Sequence, residues 1–156
     1  MEPNFQLYTT TREIVERTCS EGFPKFYDEQ YKVEFDLEDR HSEVKVDINK
    51  QIVMIYSYIL GYRVTGKDSI KRLLKYISKV NELLYTGNLE YNFESGEVRY
   101  KTSQLFLPSQ DPANLIQFLL EQHKANFLKL AAGLKELTSS KEANPIDLAN
   151  SQEPLN

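Results

Sequence analysis

Few residues in this chain could do chemistry, and they are spaced apart. Only two histidines occur: His41 in a charged turn, and His123 three residues after Leu120 and four before Phe127 on an apolar helical pattern. That setting reads as a partly buried structural histidine, with a general base or metal ligand as the alternative. Zinc wants His and Cys clustered at short spacing, and one Cys with two distant His does not supply that. Cys19 near a helix end reads as a small structural residue, with a reactive thiol as the alternative. No glycine-rich phosphate loop, nucleophile elbow or HExxH occurs.

Carboxylates are plentiful. Glu34, Asp36 and Glu38 share one parity of an alternating run, and a solvated strand face explains them. Paired acids for glycoside chemistry would also need a cleft between them. Asp36-Leu37-Glu38-Asp39-Arg40 lacks the glycine and ligand spacing of a calcium loop. No catalytic residue, metal or cofactor is therefore assigned, and the chain reads as a non-enzyme.

Lys67, Lys71, Arg72, Lys75 and Lys79 form a basic stripe at helical spacing. It reads as a solvated face with an Asp68–Arg72 pair one turn apart. A small-molecule or nucleic-acid contact is the alternative, without an RNP-type aromatic motif to support it. Asn81 interrupts the apolar stripe of Ile77, Val80 and Leu84. It reads as a side chain bonded to a loop backbone. The ten tyrosines could build a binding surface, but in a chain without Trp many are expected simply as core.

The elements that must position these residues follow from the apolar period. Thr10-Thr11-Arg12-Glu13 has capping-box spacing, so a first helix is expected there, with a start nearer Phe5 also open. From Tyr31 the period is two: Tyr31, Val33, Phe35 and Leu37 alternate with charges. Val44, Val46 and Ile48 mark a second strand, and Gln51 to Leu60 a third that is apolar at both parities and ends or bends at Gly61. Thr65 and Asp68 open a second helix carrying Ile70, Leu73, Leu74, Ile77, Val80 and Leu84, and Gly87 stands just past its end. Leu89, Tyr91 and Phe93, then Val98, Tyr100 and Thr102, flank Glu94-Ser95-Gly96 as a hairpin. Asp111-Pro112 starts a long helix reaching Leu137.

The order is α-β-β-β-α-β-β-α. This predicts an α+β fold: a largely antiparallel five-stranded sheet with helices packed on it. Residues 1–138 are expected to form one domain and residues 139–156 a disordered tail.

The bulk properties agree with a globular protein. The chain has 156 residues, 40% of them apolar, a net charge of −4 and a pI near 5.3. No overall field draws it to nucleic acid or acidic lipid. Met1-Glu2-Pro3-Asn4 has neither a basic nor an apolar region, so no secretory signal is expected. The apolar run Ile52–Tyr62 is about half the ~20 residues of a membrane span. A lone cysteine fits a reducing compartment, and a cytoplasmic location is expected.

One stretch adds a family resemblance. Val80-Asn81-Glu82-Leu83-Leu84, then Gly87-Asn88-Leu89-Glu90-Tyr91, then Ser95-Gly96-Glu97-Val98-Arg99-Tyr100-Lys101-Thr102 resembles the YbjN family. That family shows a helix carrying Asn, a Gly, a strand with Glu, and a Gly-Glu-aliphatic-Arg-aromatic hairpin. Lys101 departs from it, since Arg is more usual there. The resemblance spans residues 8–137 and is specific over 80–102. It implies a type III secretion chaperone-like fold that often dimerises, and bacterial proteins labelled as sensory transduction regulators. Asn81, Gly87, Glu90, Gly96, Arg99 and Tyr100 would be its structural motif residues.

The functional expectation is a chaperone-like, protein-binding or regulatory module. Its partner would be a second copy of the chain or another protein. Because the third strand is apolar on both faces, one parity is expected at an interface, with Val53, Ile55 and Ile59 as the candidate surface. The competing cover is the Phe5–Phe26 segment.

Overall fold

The structure is a computed structural model describing residues 2–19, 22–59, 63–152 and 155. The chain divides into two compact units, residues 1–57 with 102–123 and residues 58–101 with 124–156, where the sequence predicts one domain over 1–138. Among the described residues the elements are α1 (Phe5–Thr18), β1 (Lys25–Tyr27), β2 (Lys32–Leu37), β3 (Arg40–Asp47), β4 (Ile52–Tyr58), α2 (Lys67–Leu83), β5 (Asn88–Tyr91), β6 (Val98–Leu105), α3 (Pro112–Ser139) and α4 (Pro145–Asn150). The sheet has six strands, ordered β1-β2-β3-β4-β6-β5, rather than the five expected. The pairs β1/β2, β2/β3, β3/β4 and β5/β6 all run antiparallel.

The extra strand is β1. It has three residues, too few to show a period, and a single 3-10 turn at Asp28–Gln30 separates it from β2. Tyr31, expected in the next strand, is left-handed at φ 48° and closes that turn instead.

In the first unit, α1 starts at Phe5 because Asn4 caps it, its Oδ1 accepting from the Leu7 amide at 3.1 Å. The expected capping box does not form there: Thr10 and Thr11 are buried inside the helix, and the Thr11 hydroxyl donates to the Leu7 carbonyl at 2.7 Å. Strands β2 and β3 are joined at Glu38-Asp39, both left-handed with φ of 49° and 59°, as a two-residue I′ turn requires. Leu60 and Gly61, where the sequence ends the third strand, lie outside the described residues.

Side-chain alternation fixes which face each strand residue takes. Ser57 on β4 and Thr102 on β6 both bond to His123 on α3, so that parity faces the helix layer. Val53 and Ile55 share it and are fully buried. In the second unit Ile59 is likewise buried. The residues expected at an interface are therefore core. The expectation failed because the sequence does not say which parity the helices cover.

In the second unit, Gly66 precedes α2 and its N-cap position makes no side-chain bond, so Thr65 is not the cap. Leu73, Tyr76, Ile77 and Val80 are its buried residues. Gly87 (φ 78°) follows α2, and Gly96 (φ 73°) sits in the hairpin turn. The residues expected to be a disordered tail instead carry α4. Asn144 caps it with bonds from the Ile146 and Asp147 amides, Pro145 sits in its first turn, and Leu148, Ala149 and Leu155 are buried. Helix α4 packs against α2. Arg72 ties the intervening loop down, donating from Nη2 to the Ser140 carbonyl at 2.8 Å and the Ala143 carbonyl at 2.7 Å. The expected Asp68–Arg72 pair is absent because Arg72 turns to these carbonyls.

Candidate functional site

In the second unit, α2 and α4 frame a groove of about 750 Å³. The stripe positions Lys67, Lys71, Lys75 and Lys79 recur every fourth residue, so they stack on one side of α2. Ile70 and Leu74, half-buried, lie beside them, and Ile146 from α4 is 40% exposed on the same groove. Lys79 pairs with Glu82 at 2.8 Å. Lys67, Lys71 and Lys75 have no ion-pair partner among the described residues. The groove thus combines apolar side chains with a rim of four lysines and two carboxylates, Asp68 and Glu82, so its charge is net positive. Such a surface suits a segment that is apolar on one side and acidic on the other.

In the first unit the sheet face away from the helix layer is an ionic lattice. Glu34 lies opposite Glu43 across β2 and β3, and Lys32 opposite Lys45. Like charges facing one another destabilise a sheet unless balanced. Here each Lys bonds the Glu two residues along its own strand, Lys32–Glu34 at 2.7 Å and Lys45–Glu43 at 3.0 Å. The Tyr27 hydroxyl adds a bond to Glu34 at 3.1 Å. The hydrogen bond from Lys32 holds the Glu34 carboxyl below its usual value. The Lys45 ammonium also lies 5.4 Å from the Tyr56 ring centre, and the aliphatic stems of such residues cover apolar neighbours such as Met54. This face therefore does not require an apolar partner. Glu34, His41 and Glu43 bring possible metal-ligand atoms within 4.8 Å of one another, but a cation there would have to displace both lysines from their carboxylates.

A buried polar chain lies on the other face of the first unit. Ser42 Oγ is 2.6 Å from Ser57 Oγ, Ser57 Oγ is 2.8 Å from His123 Nε2, and Thr102 Oγ1 is 2.8 Å from His123 Nδ1. All four residues are buried, and burial pushes the His123 pKa down to about 3. A serine beside a histidine suggests a nucleophile and base, but no substrate reaches a histidine that is 1% exposed. The chain satisfies buried hydrogen-bonding groups, and its role is structural.

The six motif residues lie together in the second unit, at the end of α2 and along the β5–β6 hairpin. Asn81 bonds both backbone groups of Leu89, donating to its carbonyl at 3.1 Å and accepting from its amide at 2.8 Å. It gives β5 the pairing a further strand would provide. Glu90 faces Arg99 across the hairpin and accepts from its Nε at 2.6 Å, with Lys101 at 3.8 Å. Tyr100 is buried; its hydroxyl donates to the Thr86 carbonyl at 3.1 Å and accepts from Asn126 at 3.1 Å. None of the six lines the α2 groove. Cys19 is half-exposed at the end of α1, its amide donating to the Val15 carbonyl at 2.9 Å.

Sequence reasoning found the lysines but missed the groove, because its second wall is α4. The Asn144-Pro145 pair, the same signal as Asp111-Pro112, could have shown that helix. Ser42 and Ser57 gave no signal; each merely replaces an apolar residue in an inward parity.

No protein-family model and no curated protein matches the chain. Solved structures do. One chain of the crystal structure of the ExsC-ExsE complex aligns over 84% of this chain and 92% of its own length, with a TM-score of 0.56 and 15% identity. One chain of the HopA1-SchA chaperone-effector complex aligns over 86% of this chain and 99% of its own, with a TM-score of 0.54 and 11% identity. The likeness is one of fold. It supports an α+β architecture shared with those chains and leaves the YbjN resemblance without a match. Among the described residues no helix is long and apolar enough to cross a membrane.

Proposed function

We propose that this chain is a non-enzymatic, chaperone-like protein-binding module of the cytoplasm, and that its α2 groove holds an acidic, amphipathic segment of a partner protein. The observation that carries this reading is the groove's composition: Ile70, Leu74 and Ile146 as its apolar side chains, with Lys67, Lys71 and Lys75 free of ion-pair partners among the described residues. Apolar burial would supply affinity, and the lysines would select acidic segments and set register. The fold likeness to chains from complexes, one of them a chaperone-effector complex, supports a protein ligand. A regulatory role of the YbjN kind rests on the hairpin motif of residues 80–102. A second copy of the chain is the other occupant that the sequence suggests. Nucleic acid is less favoured, because apolar side chains give nothing to a phosphate backbone.

The test is fluorescence anisotropy with a labelled peptide, acidic on one helical face and leucine-rich on the other. Saturable binding that weakens with salt, and at least tenfold in a Lys71→Glu/Lys75→Glu variant, is expected. Binding indifferent to the charge reversal would refute the groove. Retention of a short RNA in place of the peptide would favour the nucleic-acid reading. Dimers in light scattering that the same variant abolishes would favour self-association.

A further inference from the structure

A second cavity in the same unit has different chemistry. It measures about 290 Å³ and lies where α2 begins, against the end of α3. Three cations line it, Arg63, Arg72 and Lys141, with the hydroxyl-bearing residues Thr65, Ser69 and Thr138; no carboxylate does. Three cations converging on one hollow repel one another, an arrangement that an anion relieves. Arg63 and Lys141 have no ion-pair partner among the described residues. Arg72 is held by the Ser140 and Ala143 carbonyls, and both bonds use Nη2 alone.

The local backbone adds to this. No side chain caps α2, and its first residues line the cavity mouth, where Gly66, Lys67 and Asp68 join Ser69, Arg72 and Lys141. Asp68 is the one carboxylate there, and Lys67 stands beside it. Uncapped N-terminal amides carry partial positive charge. Gly96 also contributes. A Cβ at that position would collide with the Arg63 side chain, so the hairpin glycine leaves Arg63 the space to lie over the turn.

We infer that this cavity binds the phosphoryl group of a small phosphate monoester. Arginine forks and hydroxyls match the several oxygens of a phosphate dianion, whereas a lone carboxylate would leave much of the positive charge uncompensated. The volume is at the low end for a small-molecule site, enough for a phosphoryl head and a short organic body. Arg63 and Arg72 supply the planar contacts, Lys141 a mobile point charge, and Ser69 and the α2 amides the remaining donors. The cavity shares no lining residue with the α2 groove, although Lys67 and Asp68 at its mouth also line that groove, and it does not depend on a protein partner.

The test is isothermal titration calorimetry on the full chain at constant ionic strength, with inorganic phosphate, glycerol 3-phosphate, glycerol and chloride. Saturable binding of phosphate is expected, tighter for the ester, with none for glycerol or chloride. Arg63→Gln and Lys141→Gln, both at exposed positions and so expected to fold, should each weaken phosphate at least tenfold. Lys75→Glu, in the groove but outside the cavity, should leave it within about twofold. No saturable heat, or phosphate affinity in both Gln variants equal to that of the unaltered chain, would overturn the site. An ester binding no tighter than inorganic phosphate would overturn the monoester assignment.

Discussion

Ser57 Oγ lies 2.8 Å from His123 Nε2, in a pocket where His123 is 1% exposed. Ser57 and Thr102 bond the two ring nitrogens and Ser42 bonds Ser57, and burial keeps His123 neutral in the folded protein. Burial lowers its pKa from 6.5 to about 3. Above pH 6.5 neither the folded nor the unfolded chain protonates it. Below that value the unfolded chain takes a proton that the folded chain refuses.

Stability should therefore fall on acidification from about pH 6.5, by up to ~1.4 kcal/mol per pH unit. Glu34 acts in a lower window: its depressed pKa contributes stability lost only below its ordinary 4.5. Urea midpoints between pH 7 and 5 should isolate His123. A His123→Gln variant should be less stable at pH 7 but show a flatter profile. An equally steep profile would assign the effect to other groups.

Gly96 is left-handed at φ 73°, and any Cβ there meets the Arg63 side chain. Arg63 is flexible and exposed, so it can move; the backbone cannot. Gly96→Val should cost on the order of 1–3 kcal/mol, and Gly96→Asn clearly less, because Asn tolerates this region. Equal melting temperatures for the two variants would show that φ is not the constraint.

Gly133 and Tyr76 form a tight pair in the second unit. A Cβ on Gly133 would run into Tyr76 Oη, the one buried side-chain polar atom without a hydrogen-bond partner among the described residues. Gly133→Ala should cost about 1–3 kcal/mol through overpacking. Tyr76→Phe should be neutral or slightly stabilising, since it removes an unpaired hydroxyl. The double variant should recover most of the alanine's cost. Simple additivity in a double-mutant cycle would place the strain elsewhere.

The sequence made the long elements legible and the short ones obscure. Alternation over Val33–Leu37 and Val44–Ile48, and the period of α2 and α3, follow directly from burying one face. Gly87 and Gly96 were legible because left-handed backbone strongly favours glycine. Strand β1 and helix α4 were not, because three and six residues carry too little periodicity. The partner surface went wrong at Val53 and Ile55 for another reason. Both parities of β4 are apolar, and the opposite one is sheltered by the charged neighbours Lys45 and Glu43 rather than by a partner. The cavity at the start of α2 gathers Arg63, Arg72 and Lys141 from distant positions, so no local spacing announces it.

The C-terminal segment gives the last prediction. Removing residues 140–156 deletes the buried Leu148, Ala149 and Leu155 and both carbonyls that hold Arg72. The newly uncovered surface of α2 would include apolar area now hidden by α4. Burial of one leucine alone is worth about 2 kcal/mol, and the half-buried Arg72 would lose two charge-assisted bonds. Chemical denaturation should show a loss of several kcal/mol for the truncation. Leu148→Ala, which keeps the loop and Arg72 bonds, should lose about 2–4 kcal/mol. Arg72→Met should fall by a smaller amount and raise amide exchange across residues 140–150. A truncated chain with an unchanged midpoint would mean that α4 contributes nothing to stability, and the groove would then have only one wall.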